Sequence, residues 1–222
     1  DWPAAPVSVA PRHSPNKTRA LPNQIRVVDL SGHGLADRMY ASHMGGQVWR
    51  FDITNCNAAS SLIAGGVIAQ LGAEGTGDTS AAATRRFYNA PDVSIFTDKT
   101  QQRRFVAVNI GSGYRAHPFD LSAADRFYSL RDPDVFTRLP QSAYDSYSVI
   151  TDSSLVEVSE QSGVVISQSD RGWKFTLPDN EKVLADSITF DDQVFFVSFS
   201  PDSNSEVSCS AGKGTNVLYR MF

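Results

Sequence analysis

A chain of 222 residues with 41% hydrophobic content has enough apolar material for one substantial core, which excludes disorder for most of its length. Its formal charge of -4, with Lys and Arg scattered rather than clustered, leaves no basic stripe for a phosphate backbone, so nucleic acid is set aside. No run approaches the ~18–20 apolar residues of a bilayer-spanning helix, and the chain reads as soluble.

Residues 1–24 carry Pro3, Pro6, Pro11, Pro15 and Pro22 without hydrophobic periodicity and read as an extended arm; residues 25–222 form the folded domain. The start at Asp1-Trp2-Pro3, with neither an initiator Met nor a signal peptide, suggests a processed chain or a piece of a longer one. Ile25 to Val28 opens the first strand. The loop after it spaces Asp29, Ser31, His33 and Asp37 at alternate positions, with Gly34 where the first half of an EF-hand loop places its turn glycine and Leu35 offering a carbonyl. Met39 to Ser42, a Gly45-Gly46 turn and Val48 to Phe51 then read as a hairpin.

Leu62 to Leu71 is too short and too glycine-rich to be assigned a helix, and 72–84 reads as a flexible surface insertion. Strand signals resume at Phe87-Tyr88, Val93 to Phe96, Phe105 to Ile110 and Arg126 to Asp132. Further strands are expected at Leu155 to Val158, Val164 to Ser167 and Trp173 to Leu177. They continue at Ser187 to Phe190, then Gln193 to Phe199 after an Asp191-Asp192 turn, and Leu218 to Met221. A short helix is expected near Ser122 to Arg126 or Ala143 to Ser146.

Three blocks close on an aromatic-led strand, at Trp49, Tyr128 and Tyr219, roughly 80–90 positions apart, against about 40–50 residues for a propeller blade. Each interval holds two blades or one blade with long insertions. The expected fold class is therefore all-β, a partial or modified β-propeller of antiparallel meanders with long loop insertions. Only three to four blades can be counted, so this chain supplies part of a ring. Trp49, Phe51, Trp173 and Tyr219 are expected between blades, and Arg50 with Asp52 as an inter-strand pair that staples a blade.

Cys56 and Cys209 belong to no metal or redox motif and read as two buried thiols or, in polar loop-like surroundings, as a disulfide of an oxidising compartment. Catalytic signatures are missing: there is no GxSxG elbow, no HExxH and no phosphate-binding glycine loop. Two alternatives remain beside a binding module. One is a quinoprotein-like propeller enzyme; the other is a carbohydrate-binding propeller that displays Tyr114, Tyr144 and Tyr147 as aromatic platforms.

The ordered segments Asp37-Arg38-Met39-Tyr40-Ala41, Gly46 to Asp52, Gly111-Ser112-Gly113 to Asp132, Gly172 to Pro178 with Glu181 to Leu184, and Val194 to Asp202 with Cys209 and Leu218-Tyr219 resemble the C-terminal propeller domain of the PilY-type proteins. These are type IV pilus tip and biogenesis proteins. The resemblance runs from about Ile25 to Tyr219. It implies a non-catalytic adhesin and pilus assembly factor, secreted to the pilus tip, cell surface or periplasm of a bacterium. It also implies that the propeller extends upstream, so that another chain or fragment completes it, with minor pilins and a host or abiotic surface as further partners. The resemblance makes 29–37 a calcium loop through Asp29, Ser31, the Leu35 carbonyl and Asp37. His33 departs from the pattern, because calcium prefers oxygen to imidazole nitrogen. The alternative for the two acids is hydrogen bonding to the loop's own amides. A transition metal on His33 and His43 lacks a third ligand; otherwise both histidines are expected to be solvated.

Overall fold

A computed structural model describes residues 19–73, 77–78, 80–98, 103–159, 163–178, 180–202 and 213–221. In chain order the strands are β1 (Arg26–Val28), β2 (Arg38–Ser42), β3 (Gln47–Ile53), β4 (Ile63–Gln70), β5 (Asp92–Asp98), β6 (Arg103–Gly111) and β7 (Arg126–Asp132). A five-residue helix α1 (Gln141–Asp145) follows, then β8 (Ile150–Thr151), β9 (Val156–Val158), β10 (Gly172–Thr176), β11 (Lys182–Val183), β12 (Ile188–Phe190), β13 (Gln193–Pro201) and β14 (Gly214–Met221). They form a first sheet ordered β1-β2-β3-β4-β8, a second ordered β5-β6-β7-β10-β9, and a third in which β13 pairs with β14 along one edge and with β11 and β12 along the other. The fold is all-β, and each of Trp49, Tyr128 and Tyr219 belongs to a different sheet, so each interval between them is one sheet with insertions.

The three sheets pack face to face in sequence, with the second in the middle. Alternation along its strands explains how it serves two neighbours. Val106, Val108 and Ile110 of β6, with Tyr128 and Leu130 of β7, point one way and meet Tyr40, Val48, Ile68 and Ala69 of the first sheet. Phe127 of β7, with Trp173 and Phe175 of β10, points the other way and meets Val194 and Phe196 of β13 and Tyr219 of β14. The Phe127 and Phe196 rings stack 3.9 Å apart within this second core. Trp173 and Tyr219 are thus core between sheets, as expected. Trp49 is also buried, but it stacks on Phe51 at 6.1 Å and donates its indole N–H to Gln47 Oε1, outside both clusters.

Several local expectations are corrected. Leu62 to Leu71 is a strand, β4, whose glycines hide its pattern. A Cβ on Gly65 would lie 2.4 Å from the Phe51 ring and 2.7 Å from the Arg50 carbonyl, so close approach to β3 demands glycine there. Phe87-Tyr88 and 164–167 are not strands. Phe87 is instead a fully buried plug set edge-on to Tyr128, so its apolarity comes from core packing rather than from a ladder. The helix forms at Gln141–Asp145 and not at 122–126.

The sheets are also not purely antiparallel: β8 pairs with β4, and β9 with β10, in parallel. Both come from one short segment, 150–158, which adds its first strand to one sheet and its second to the next across the turn at Asp152–Ser154. Asp152 holds that crossing. Its carboxylate accepts from Arg126, from Lys174 Nζ at 2.7 Å and from Tyr128 Oη at 2.8 Å. Of the proline-rich arm, 19–24 are described and form no strand. Met44 donates to the Ala20 carbonyl, and Asn23 Nδ2 reaches Ser42 Oγ at 2.6 Å and the Asn89 carbonyl at 2.9 Å, which ties the arm across the first two sheets.

Candidate functional site

The loop between β1 and β2 is closed by the two acids singled out in the sequence. Asp29 Oδ1 accepts from the Gly32 amide at 2.7 Å, the His33 amide at 3.3 Å and Ser31 Oγ at 3.2 Å; Oδ2 accepts from the Gly34 amide at 2.6 Å. Successive amides thus curl around a side-chain anion in the manner of a backbone nest. Desolvation pushes the Asp29 carboxyl up, but the amides of Gly34, Gly32 and His33 outweigh it and hold the group below the usual carboxylate range. Asp37 closes the other end, with Oδ1 on the Leu30 amide at 3.1 Å and Oδ2 on the Ser31 amide at 2.9 Å. Desolvation again opposes ionisation, and these donors together with Arg138 lower its pKa.

Both carboxylates therefore face N–H groups instead of converging on a common centre. His33 is exposed, Leu35 is exposed, and among the described residues no three His, Cys, Asp or Glu side chains gather in a position to hold a metal. A calcium ion needs six to eight oxygens turned inward. The loop's donor set, with its two acids committed to amides and an imidazole in an oxygen position, does not fit one.

His43 is buried, contrary to the solvated reading. Its Nδ1 accepts from the Gly45 amide at 2.8 Å, so the proton sits on Nε2, which donates to Gln47 Oε1 at 2.5 Å. The ring closes the β2–β3 turn, where Gly46 has a φ of +82°, and it lies in the turn rather than in the metal-candidate loop.

Beneath the loop, β2 and β3 carry a buried polar cluster that sequence reasoning saw only in part. Arg50 and Asp52 do pair, at 2.9 Å, but along one strand rather than between two strands. The staple is between sheets. Arg50 Nη1 reaches both oxygens of Asp132 at the end of β7, at 2.8 and 2.9 Å, and Arg50 Nη2 donates to the Thr137 carbonyl at 2.8 Å. Arg38 Nε donates to Asp52 Oδ1 at 2.8 Å and its Nη2 to the same Thr137 carbonyl. Tyr40 Oη donates to Asp132 at 2.7 Å; Tyr144 Oη and the Leu139 amide donate to Asp52 Oδ2 at 2.7 and 2.8 Å.

Two cations and two anions thus balance in a site where each of the four side chains is at most 2% exposed. Burial would lower the Arg50 pKa, but Asp132, Tyr144 and Asp52 together raise it. Desolvation, with Asp132 beside it, raises Tyr40 well above its ordinary value. Arg38 follows Asp37 directly, so the surface loop and the inter-sheet clamp share a backbone. The signal that could have exposed the clamp is the placement of Arg38, Arg50 and Asp52 at alternate, inward positions of strands otherwise reading as core.

Tyr144 is committed to Asp52 and buried, which removes it as a sugar platform. Tyr114 is covered by the Arg86 guanidinium 4.0 Å from its centroid and by Tyr88, and Tyr147 accepts from Arg171 and stacks on Tyr144. Cys56 is exposed in a turn, whereas Cys209, its expected disulfide partner, lies outside the described residues.

No protein-family model and no curated protein matches the sequence. Among solved structures, the crystal structure of the Pseudomonas aeruginosa PilY1 C-terminal domain matches with a TM-score of 0.60 at 18% identity, over 89% of this chain and 46% of that one. The chain spans less than half of that structure, and over nearly its whole length it has the fold of the PilY1 C-terminal domain.

Proposed function

We propose that this chain is part of a type IV pilus-associated binding protein, a non-catalytic adhesin and assembly factor exported to the pilus tip or cell surface. The observation that carries the reading is the fold shared with the PilY1 C-terminal domain over 89% of the chain. The mechanism is binding by a rigid platform. Two cores and a neutral buried clamp lock three sheets together, and the loops between strands are free to vary in sequence around that scaffold. Minor pilins dock on one side, a host or abiotic surface on the other, and the remainder of the propeller abuts this piece.

The loop at 29–37 contributes shape: its acids order it through its own amides, and no calcium step enters the proposal. Surface plasmon resonance of the purified chain against minor pilins of the same genome tests the reading. Saturable binding that is lost when surface loops are exchanged supports it. Absence of saturable binding by a chain shown to be folded overturns it. Visible-range absorbance from a tightly held quinone would transfer the chain to the enzyme class.

A further inference from the structure

One end of the middle sheet gathers four arginines, none of them in an ion pair with a carboxylate among the described residues. Arg103 and Arg104 begin β6, Arg131 lies near the end of β7, and Arg171 immediately precedes β10; together they line a cleft of about 120 Å³. Two acids share the cleft, Asp98 and Asp170, so its formal charge is positive in a chain of net charge -4. Asp170 is committed to a turn through the Ser167 amide at 2.6 Å.

The guanidinium groups are held by neutral acceptors. Arg131 Nη1 donates to the Ser167 carbonyl at 3.1 Å, Arg103 Nη1 to the Gln168 carbonyl at 3.3 Å, and Arg171 Nη2 to Tyr147 Oη at 2.8 Å. Arg171 Nε is buried with no acceptor, and the Arg104 side chain has no hydrogen bond or ion pair among the described residues. None of the four forms an ion pair with a carboxylate among those residues. Burial lowers the Arg131 pKa, and the Asp98 and Asp170 charges offset it only in part. The cleft thus carries an excess of pre-positioned positive charge over its two acids.

We propose that this cleft is a carboxylate-binding site that captures an acidic peptide segment of a partner protein. Planar guanidinium forks match the two oxygens of a carboxylate, and the cleft has room for one side-chain or chain-end carboxylate rather than an extended ligand. A sugar would need a free aromatic face. The one ring in the cleft, Phe105, is instead stacked on Phe96 at 5.7 Å and capped by Arg131 at 4.7 Å. The inference rests on the cleft alone and stands whether or not the partner belongs to a pilus.

Fluorescence anisotropy of the full chain with a labelled Glu-rich peptide, against its Gln counterpart, tests it at low ionic strength. Arg104→Glu is the informative variant because the exposed side chain makes no hydrogen bond or ion pair among the described residues. Lys213→Glu makes the same charge change at an exposed position outside the cleft. The Glu peptide is expected to bind and the Gln peptide not to. Arg104→Glu is expected to weaken binding by about tenfold or more, the scale of losing one charge-assisted contact, while its thermal unfolding and the affinity of Lys213→Glu stay at the wild-type values. Equal binding of both peptides, no binding of either, equal loss in Lys213→Glu, or preference for a sulfated oligosaccharide or inorganic phosphate over the Glu peptide would overturn it.

Discussion

Replacing Asp132 by Leu strips the inter-sheet clamp of one anion and leaves its two arginines facing Asp52, with the partly exposed Asp134 lying 3.6 Å from Arg50. The Arg50 side chain is fully buried and that of Asp132 is 2% exposed, so water does not reach the excess charge, and Asp134, 3.6 Å away and 32% exposed, offsets it only in part. The substitution also orphans the Tyr40 hydroxyl, left with only a long 3.4 Å contact to Arg38, and the Asp134 amide. Breaking one partner out of a buried pair costs about 3–5 kcal/mol. That is a large share of the roughly 5–15 kcal/mol that stabilises a domain. For a chain of this size each kcal/mol moves the midpoint by about 2–4 °C, so thermal unfolding is expected to fall by about 6–20 °C.

The double variant Arg50→Met/Asp132→Leu separates charge from shape. It restores balance, because Arg38 and Asp52 remain paired and Thr137 keeps its bond to Arg38. It should recover at least about 2 kcal/mol of the single variant's loss, as buried pairs replaced by apolar side chains do. Calorimetric and urea unfolding of the wild type, the single variant and the double variant measures both numbers. A single-variant cost below about 1 kcal/mol, or a double variant no more stable than the single one, would refute the reading of the cluster as a balanced and fully desolvated unit.

Three further outcomes are expected. Burial opposes ionisation of Asp152, but donors from Arg126, Lys174 and Tyr128 hold it at about 2 against an ordinary 3.8. Its contribution is therefore complete above the unfolded value and is lost as pH falls from about 4 toward 2, on the order of 2 kcal/mol. Asp152→Asn should flatten that limb of the stability profile, and an unchanged acid limb speaks against the 150–158 clasp.

Asp37→Ala frees the Leu30 and Ser31 amides, costs about 1–3 kcal/mol, and speeds hydrogen exchange at both. Calcium and a chelator should leave wild type and variant equally stable, and tight calcium heat abolished by Asp37→Ala would show that the misfit argument fails. Gly65→Ala places a carbon 2.4 Å from Phe51 and should cost about 1–3 kcal/mol as β3 and β4 are pushed apart; wild-type stability would mean that the strands yield there without strain.

Alternating apolar residues and turn glycines were enough to place β2, β3, β5, β6, β7, β10, β12 and β13, because period-two burial is a local pattern that each strand carries in its own residues. The Asp191-Asp192 turn was legible for the same reason, and both residues adopt positive φ as a two-residue hairpin requires. The acids at 29 and 37 were legible as loop residues, since short carboxylates cap nearby amides.

What escaped depends on neighbours far along the chain. β4 is a strand through its ladder to β3, and its glycines hide the pattern because the Phe51 ring and the Arg50 carbonyl leave no room for a Cβ at 65. The two-residue strands β8 and β11 exist because β4 and β13 offer open edges to receive them. Arg50 and Asp52 read as an inter-strand pair within one blade, whereas Asp132, 82 residues away from Arg50, Thr137 and Tyr144 enclose them in a clamp between sheets. Partners at such separations leave no periodic trace, because the burial of a charge is decided by the packing of whole sheets and not by the strand that carries it.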